Sequence, residues 1–159
     1  MQRFKLFQIL FLSLIVIGFT AGCDDDDDGN NNDSGGMVAT VNGTTYTFET
    51  GGSTYNGSLM SVAGADLDVS AGTNRQLNIT IMNPAVGSYD VALLSAGSQI
   101  IYSEGAVGSI PESWIGVSGS ITIEEISTAG AKGTFTFTGE NQQTATTKVI
   151  NNGSFDFDF

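Results

Sequence analysis

Residues able to carry out catalysis are sparse in this chain. Its 159 residues include no histidine and a single cysteine, Cys23. Without histidine the chain lacks the usual general base near neutral pH and the commonest metal ligand, and serine nucleophiles have no such base beside them. The carboxylate pair Asp66 and Asp68 is interpreted as solvated, with weak calcium binding as the alternative. We therefore predict no catalytic residues, no metal site and no cofactor, in a protein that is not an enzyme.

Aromatic residues are the remaining candidates for binding. The longest segment without a strand pattern, residues 103–118, contains the only tryptophan, Trp114. Loops on a rigid β scaffold often carry binding residues, and an indole ring either contacts a ligand such as a sugar or caps one end of a β core. Trp114 is the first candidate for ligand contact, with Tyr102 and Tyr55 as weaker candidates.

Residues 1–22 have the composition of a signal peptide. Arg3 and Lys5 precede the mostly apolar run 6–19 and the small residues 20–22, which is the order of an export signal. The apolar run is shorter than the ~20 residues that a spanning helix needs, although an uncleaved anchor is the alternative. Residues 20–23 (TAGC) resemble a bacterial lipobox, except that Thr20 stands where a branched apolar residue is usual. We predict that Cys23 is lipidated and attaches the chain to the membrane; cleavage by the ordinary signal peptidase is a further alternative.

An acidic tether follows the cysteine, within residues 23–36. It opens with five consecutive aspartates, which we call the aspartate run: Asp24, Asp25, Asp26, Asp27 and Asp28. With no apolar residue to bury, such a segment is expected to be disordered. An EF-hand loop would need a glutamate at its twelfth position, where this chain has Gly35. The run resembles instead the surface-export signal of lipoproteins in Bacteroidota, which implies recognition by export machinery. We predict an outer-membrane lipoprotein at the cell surface, with the periplasmic face as the alternative.

The charge balance excludes one class of partner. Seventeen acidic residues against five basic ones give a formal net charge of −12. Affinity for nucleic acid comes mainly from Lys and Arg neutralising phosphates. We therefore predict no nucleic-acid binding.

From residue 37 to residue 159, apolar and polar residues alternate with period two, which is typical of half-buried strands. The clearest cases are 134–138 (TFTFT), which places Phe135 and Phe137 in the core, and 155–159 (FDFDF). Asn42-Gly43 and Asn152-Gly153 each predict a tight type I′ hairpin. We predict a single all-β domain over 37–159, an antiparallel β-sandwich or small meander barrel of about ten short strands. They are expected near 37–41, 44–49, 58–63, 75–82, 89–94, 99–103, 119–126, 132–139, 145–150 and 153–159.

The whole layout resembles the small lipid-anchored β-domain lipoproteins of unknown function found in Bacteroidota. The likeness rests on the lipobox, the acidic spacer and the segments 39–43 (ATVNG), 119–123 (GSITI), 133–138 (GTFTFT) and 150–155 (INNGSF). It implies a fold and a cellular address, and no activity. The leading hypothesis is a non-catalytic interaction, adhesion or scaffold module with a protein or glycan partner. The alternative is a small-ligand or glycan-binding lipoprotein, either a lipocalin-like carrier or a sugar-binding sandwich.

Overall fold

The computed structural model describes residues 35–93 and 97–159. The predicted signal peptide, Cys23 and the aspartate run lie outside these residues. The described residues form ten antiparallel strands and no helix, which confirms the predicted all-β class. The strands are β1 (Gly36–Val41), β2 (Thr44–Phe48), β3 (Thr50–Tyr55), β4 (Leu59–Asp68), β5 (Thr73–Met82), β6 (Gly87–Asp90), β7 (Ser98–Ala106), β8 (Glu112–Ile126), β9 (Gly130–Glu140) and β10 (Thr147–Asp158).

The strands form a nearly closed, barrel-like sheet, the second of the two predicted architectures. Hydrogen bonding gives the order β2-β1-β10-β9-β8-β7-β5-β4-β3, and β6 pairs with the second half of β8. The two outermost strands, β2 and β3, are separated in the chain by Glu49 alone. The segment β2–β3 therefore pairs with β1 through its first half and with β4 through its second half. In this way the two edges of the sheet meet in one bent segment, and the barrel is nearly closed.

The two ends of the barrel are distinct. We call the end where β1 begins, with Gly36 beside Asp156 of β10, the entry end. Because neighbouring strands are antiparallel, the Asn42-Gly43 turn and the connections 69–72, 107–111 and 141–146 all lie at the opposite end, which we call the far end.

Alternate residues of each strand point into the barrel, as period two requires. On β5 the buried side chains are Arg75, Leu77, Ile79 and Ile81. Phe135 and Phe137 are 4% and 2% exposed, which confirms that they belong to the core. The fully buried side chains include Phe48, Met60, Ile100, Ile121, Ile150 and Phe155, so the middle of the barrel is filled with apolar groups.

One Asn-Gly prediction is confirmed and the other is wrong. Asn42 and Gly43 both have positive φ and connect β1 to β2 as a tight hairpin. Asn152 has the same left-handed φ of 49°, but it lies in a β-bulge between Ile150 and Gly153 within the continuous strand β10. Because β9 pairs with β10 on both sides of the bulge, the chain continues as one strand there and does not turn back as a hairpin.

Two further strand predictions need correction. Residues 103–118 were expected to be irregular, yet they contain the end of β7 and the start of β8 around a short connection. Strand β3 was not expected, because its segment TGGSTY lacks large apolar residues. Gly51 fits there for a steric reason: a Cβ at this position would lie 2.2 Å from the carbonyl oxygen of Ala63 on β4.

Candidate functional site

A layer of charged and aromatic side chains fills the interior at the far end. We call it the far-end layer. Its charged members come from four different strands, and three aromatic rings surround them. The members are Tyr46, Asp66, Arg75, Tyr102, Glu104, Trp114 and Lys148.

Strand register places the first three charges in a row. Asp66 on β4 lies opposite Arg75 on β5, which in turn lies opposite Glu104 on β7. Arg75 Nη1 is 3.0 Å from Asp66 Oδ2, and Arg75 Nε is 3.3 Å from Glu104 Oε1. The interpretation of Asp66 and Asp68 as a solvated pair is therefore wrong for Asp66, whose carboxylate is held by a buried guanidinium.

Lys148 joins this row from the other side of the barrel. It lies on β10, which β8 and β9 separate from β7 in the sheet order. Its Nζ nevertheless donates a hydrogen bond to Glu104 Oε2. The ion pair therefore crosses the interior and closes the far end of the barrel.

Aromatic rings flank both cations. Arg75 Cζ is 4.2 Å from the centroid of Tyr46, and Lys148 Nζ is 4.4 Å from the centroid of Trp114 and 5.4 Å from that of Tyr102. At such distances a ring face attracts a cation, and the attraction is stronger where water is excluded. The rings therefore stabilise two cations that strand geometry has turned inward.

Opposed effects set the protonation of the layer. Burial alone would raise the pKa of Glu104, but the hydrogen bond and charge of Lys148, together with Tyr102 and Arg75, hold that pKa below its ordinary value. Burial, followed by the negative charge of Glu104, raises the pKa of Tyr102. Near neutral pH Glu104 is therefore ionised and Tyr102 is neutral. Each of the two basic side chains of the layer is within ion-pair distance of a carboxylate.

The three aromatic candidates are divided between the two ends. Tyr102 and Trp114 are cross-strand partners with ring centroids 5.9 Å apart, and they are 0% and 5% exposed. Trp114 Nε1 donates a 3.3 Å hydrogen bond to the Thr146 hydroxyl. Gly139 makes room for this indole, since a Cβ there would lie 2.8 Å from the Trp114 Cβ. Tyr55 lies at the entry end, where its ring stacks on Phe159 at 5.3 Å.

The far-end layer was not predicted from the sequence, although the alternating strand pattern places three of its charged residues on the inner face. Arg75, Glu104 and Lys148 each stand two residues from a core residue in an alternating strand: Leu77, Tyr102 and Ile150. Period two therefore assigns three charges to the inner face. Which charges meet depends on strand register, which the sequence does not state.

The described residues form shallow depressions on the outer surface of the barrel. One, of about 320 Å³, lies over β8, β9 and β10 and is lined mainly by Ser, Thr and Asn side chains. Another, of about 590 Å³, lies near the entry end and includes Glu124, Glu125, Lys132, Asp156 and Asp158. Within residues 35–93 and 97–159, no group of three or more His, Cys, Asp or Glu side chains is placed to hold a metal ion.

A family model described as Domain of unknown function (DUF6252) matches residues 37–156. The chain belongs to this family. The DUF6252 match starts one residue after β1 begins and stops two residues before β10 ends, so it covers the barrel and every member of the far-end layer. No curated protein and no solved structure matches the chain. The part of the DUF6252 chain described by the structure has no helix long and apolar enough to cross a membrane.

Proposed function

We propose that this DUF6252 chain is a non-catalytic recognition domain, held at the outer membrane by lipid on Cys23 and exposed at the cell surface. There its outer wall contacts a protein or glycan partner, as an interaction, adhesion or scaffold module. The observation that carries the proposal is the filled interior. Inward positions hold packed apolar side chains along the middle of the barrel, and the Lys148–Glu104 ion pair crosses the far end.

The alternative of a small-ligand carrier finds less support. A carrier needs an apolar cavity that shields most of its ligand, whereas residues such as Leu77, Ile79 and Ile121 fill this interior without exposure. A sugar site built on Trp114 would also have to displace Lys148 from its ring. Recognition by the outer wall requires neither change.

The cellular address rests on the N-terminal sequence. The segment TAGC at 20–23 resembles a lipobox, and the aspartate run resembles a surface-export signal of Bacteroidota lipoproteins. Each buried methylene of an acyl chain adds about 0.8 kcal/mol of membrane affinity, so two or three chains on Cys23 would anchor the protein stably. Five identical charges exceed what a flexible spacer needs, which favours a signal that export machinery recognises.

One experiment on three forms of the full chain tests the address. The forms are the wild type, Cys23→Ala, and a variant with Asn at each of residues 24–28, which keeps length and polarity but removes the charge. Each is partitioned between detergent and aqueous phases, and intact cells are treated with external protease. The wild type should enter the detergent phase and be digested. Cys23→Ala should remain in the aqueous phase, and the Asn variant should enter the detergent phase but resist digestion.

The outcomes separate anchoring from sorting. If the wild type carries no acyl chain and Cys23→Ala still enters the detergent phase, an uncleaved N-terminal helix is the anchor and lipidation is rejected. If the Asn variant is digested as readily as the wild type, the aspartate run is only a spacer. If wild-type protein in intact cells resists the protease, surface exposure is rejected.

A further inference from the structure

The depression over β8, β9 and β10 is a trough of hydroxyl groups, and nothing in the family description assigns it a role. It is an open depression of about 320 Å³ on the outer face of the sheet. We call it the hydroxyl trough and define it by its polar lining: Ser120, Thr122, Thr134, Thr136, Asn152 and Ser154.

Strand register builds the trough. Thr122 of β8 lies opposite Thr134 of β9, which lies opposite Ser154 of β10. One step along, Ser120 lies opposite Thr136. Outward-facing hydroxyls of three adjacent strands therefore form two rows across the sheet.

The β-bulge in β10 shapes one wall. Two asparagines, at 151 and 152, occupy the space opposite Thr136, and both are exposed. The next residue, Gly153, is buried against the Phe135 ring, where an added Cβ would lie 2.2 Å from a ring carbon. Bulges commonly redirect a side chain beside a functional site. Here the bulge carries the Asn152 amide to the edge of the trough.

The trough is uncharged in an otherwise acidic domain. Residues 35–159 contain eleven acidic and three basic side chains, yet none of the eight residues that line the trough is charged. An anionic ligand would find no cation there. A cationic ligand would be drawn to the carboxylates of the second depression instead, where Glu124, Glu125 and Asp156 lie.

The lining offers donors and acceptors at close spacing. Each Ser or Thr hydroxyl donates one hydrogen bond and accepts others, and the Asn amide does both. Sugar hydroxyls have the same dual capacity. Two lining hydroxyls already bond within the protein: Thr122 Oγ1 lies 2.8 Å from Ser88 Oγ, and Thr136 Oγ1 donates to the Ile150 carbonyl at 3.2 Å, so Thr136 Oγ1 is oriented to accept from a ligand. From this match of chemistry and charge, we propose that the hydroxyl trough binds a segment of a neutral polysaccharide.

This inference deepens the proposed recognition function by naming a ligand class and a site. Its test does not depend on the cellular address, because it uses purified full chain whether or not that chain is acylated. The acidic protein, kept in neutral detergent, is run toward the anode in native gels that contain a β-glucan, a mannan or dextran. At least one polymer should retard the wild type, and the retardation against polymer concentration gives Kd.

The test variant is the double substitution Thr134→Val and Thr136→Val, which removes two hydroxyls while keeping side-chain shape and strand preference. Its affinity should fall at least tenfold. The matched control is Thr45→Val with Thr47→Val, two exposed threonines on β2 outside the trough, and its affinity should stay within twofold of the wild type. Thr134→Ser with Thr136→Ser keeps both hydroxyls and should retain binding. Circular dichroism melting checks that each variant folds.

Two results would overturn the proposal. One is the absence of retardation of the wild type by all three neutral polymers. The other is equal retardation of the wild type and a folded valine variant, which would place binding elsewhere.

Discussion

The middle of the barrel and its far end fill the same interior by different means. In the middle, residues such as Phe137, Ile79 and Ile121 are buried against one another. At the far end, the inward positions of the same strands carry Arg75, Glu104 and Lys148. β5 passes through both regions, with Arg75 and Leu77 adjacent on its inner face.

The two regions differ in how strictly each buried side chain requires a particular neighbouring side chain. Apolar burial is non-directional, so many apolar combinations of similar volume would fill the middle. The far-end layer has stricter requirements, because a charge turned inward must meet its opposite within a few ångströms. It therefore constrains strand register, which an apolar core specifies less strongly.

The largest effect should come from the middle of the barrel. Phe137→Ala removes a buried ring that packs 6.5 Å, centroid to centroid, from Phe135, and should lower the free energy of unfolding by about 3–5 kcal/mol. Urea denaturation of the full chain measures the loss. The control is Thr138→Ala on the outer face, which should cost under about 1 kcal/mol. Equal stability of Phe137→Ala and the wild type would mean that the inner and outer faces of β9 are exchanged.

A smaller loss is expected from the far-end layer. Glu104→Gln keeps the side-chain shape but leaves Arg75 paired with Asp66 alone and removes the carboxylate that pairs with Lys148. Since Glu104 is partly exposed, the cost should be about 1–3 kcal/mol, below that of breaking a fully buried pair. Glu124→Gln, an exposed carboxylate at the entry end, is the matched control and should be near neutral.

The same variant has a distinctive pH dependence. Because the folded-state pKa of Glu104 lies below its ordinary value of 4.5, its contribution to stability is present above that value and is lost as pH falls through the folded pKa. The stability difference between the wild type and Glu104→Gln should therefore be largest near pH 7 and shrink below about pH 4.5. A difference that stays constant over this range would mean that the carboxylate charge contributes nothing.

The sequence predicts the middle of the barrel better than its edges and its far end. Period two assigns Phe135 and Phe137 to the core without knowledge of any partner strand. An Asn-Gly pair, in contrast, has the same local preference in a hairpin and in a bulge, and Asn42 and Asn152 share nearly the same φ. Only pairing with β9 on both sides of Asn152 decides in favour of the bulge.

The candidate sites depend on register even more strongly. Trp114 and Tyr102 were individually suspected of binding, but their contact and their burial follow from the pairing of β7 with β8. The hydroxyl trough likewise needs three strands in one alignment before Thr122, Thr134 and Ser154 form a row. The local sequence pattern identifies which face of the sheet a residue occupies. The pairing of distant strands decides which side chains lie next to one another on that face.

The smallest effect should come from Tyr102, where the two regions of the interior meet. Its ring is fully buried, and its hydroxyl lies close enough to Glu104 for each group to shift the pKa of the other, but it makes no hydrogen bond of normal geometry within the described part of the chain. A buried hydroxyl without a partner costs free energy through lost hydration. Tyr102→Phe keeps the ring and should therefore change the free energy of unfolding by less than about 1 kcal/mol, in the stabilising direction. Urea denaturation near pH 7 measures the change. A loss above about 1.5 kcal/mol would show instead that the hydroxyl donates a hydrogen bond to Glu104 and that this bond stabilises the far-end layer.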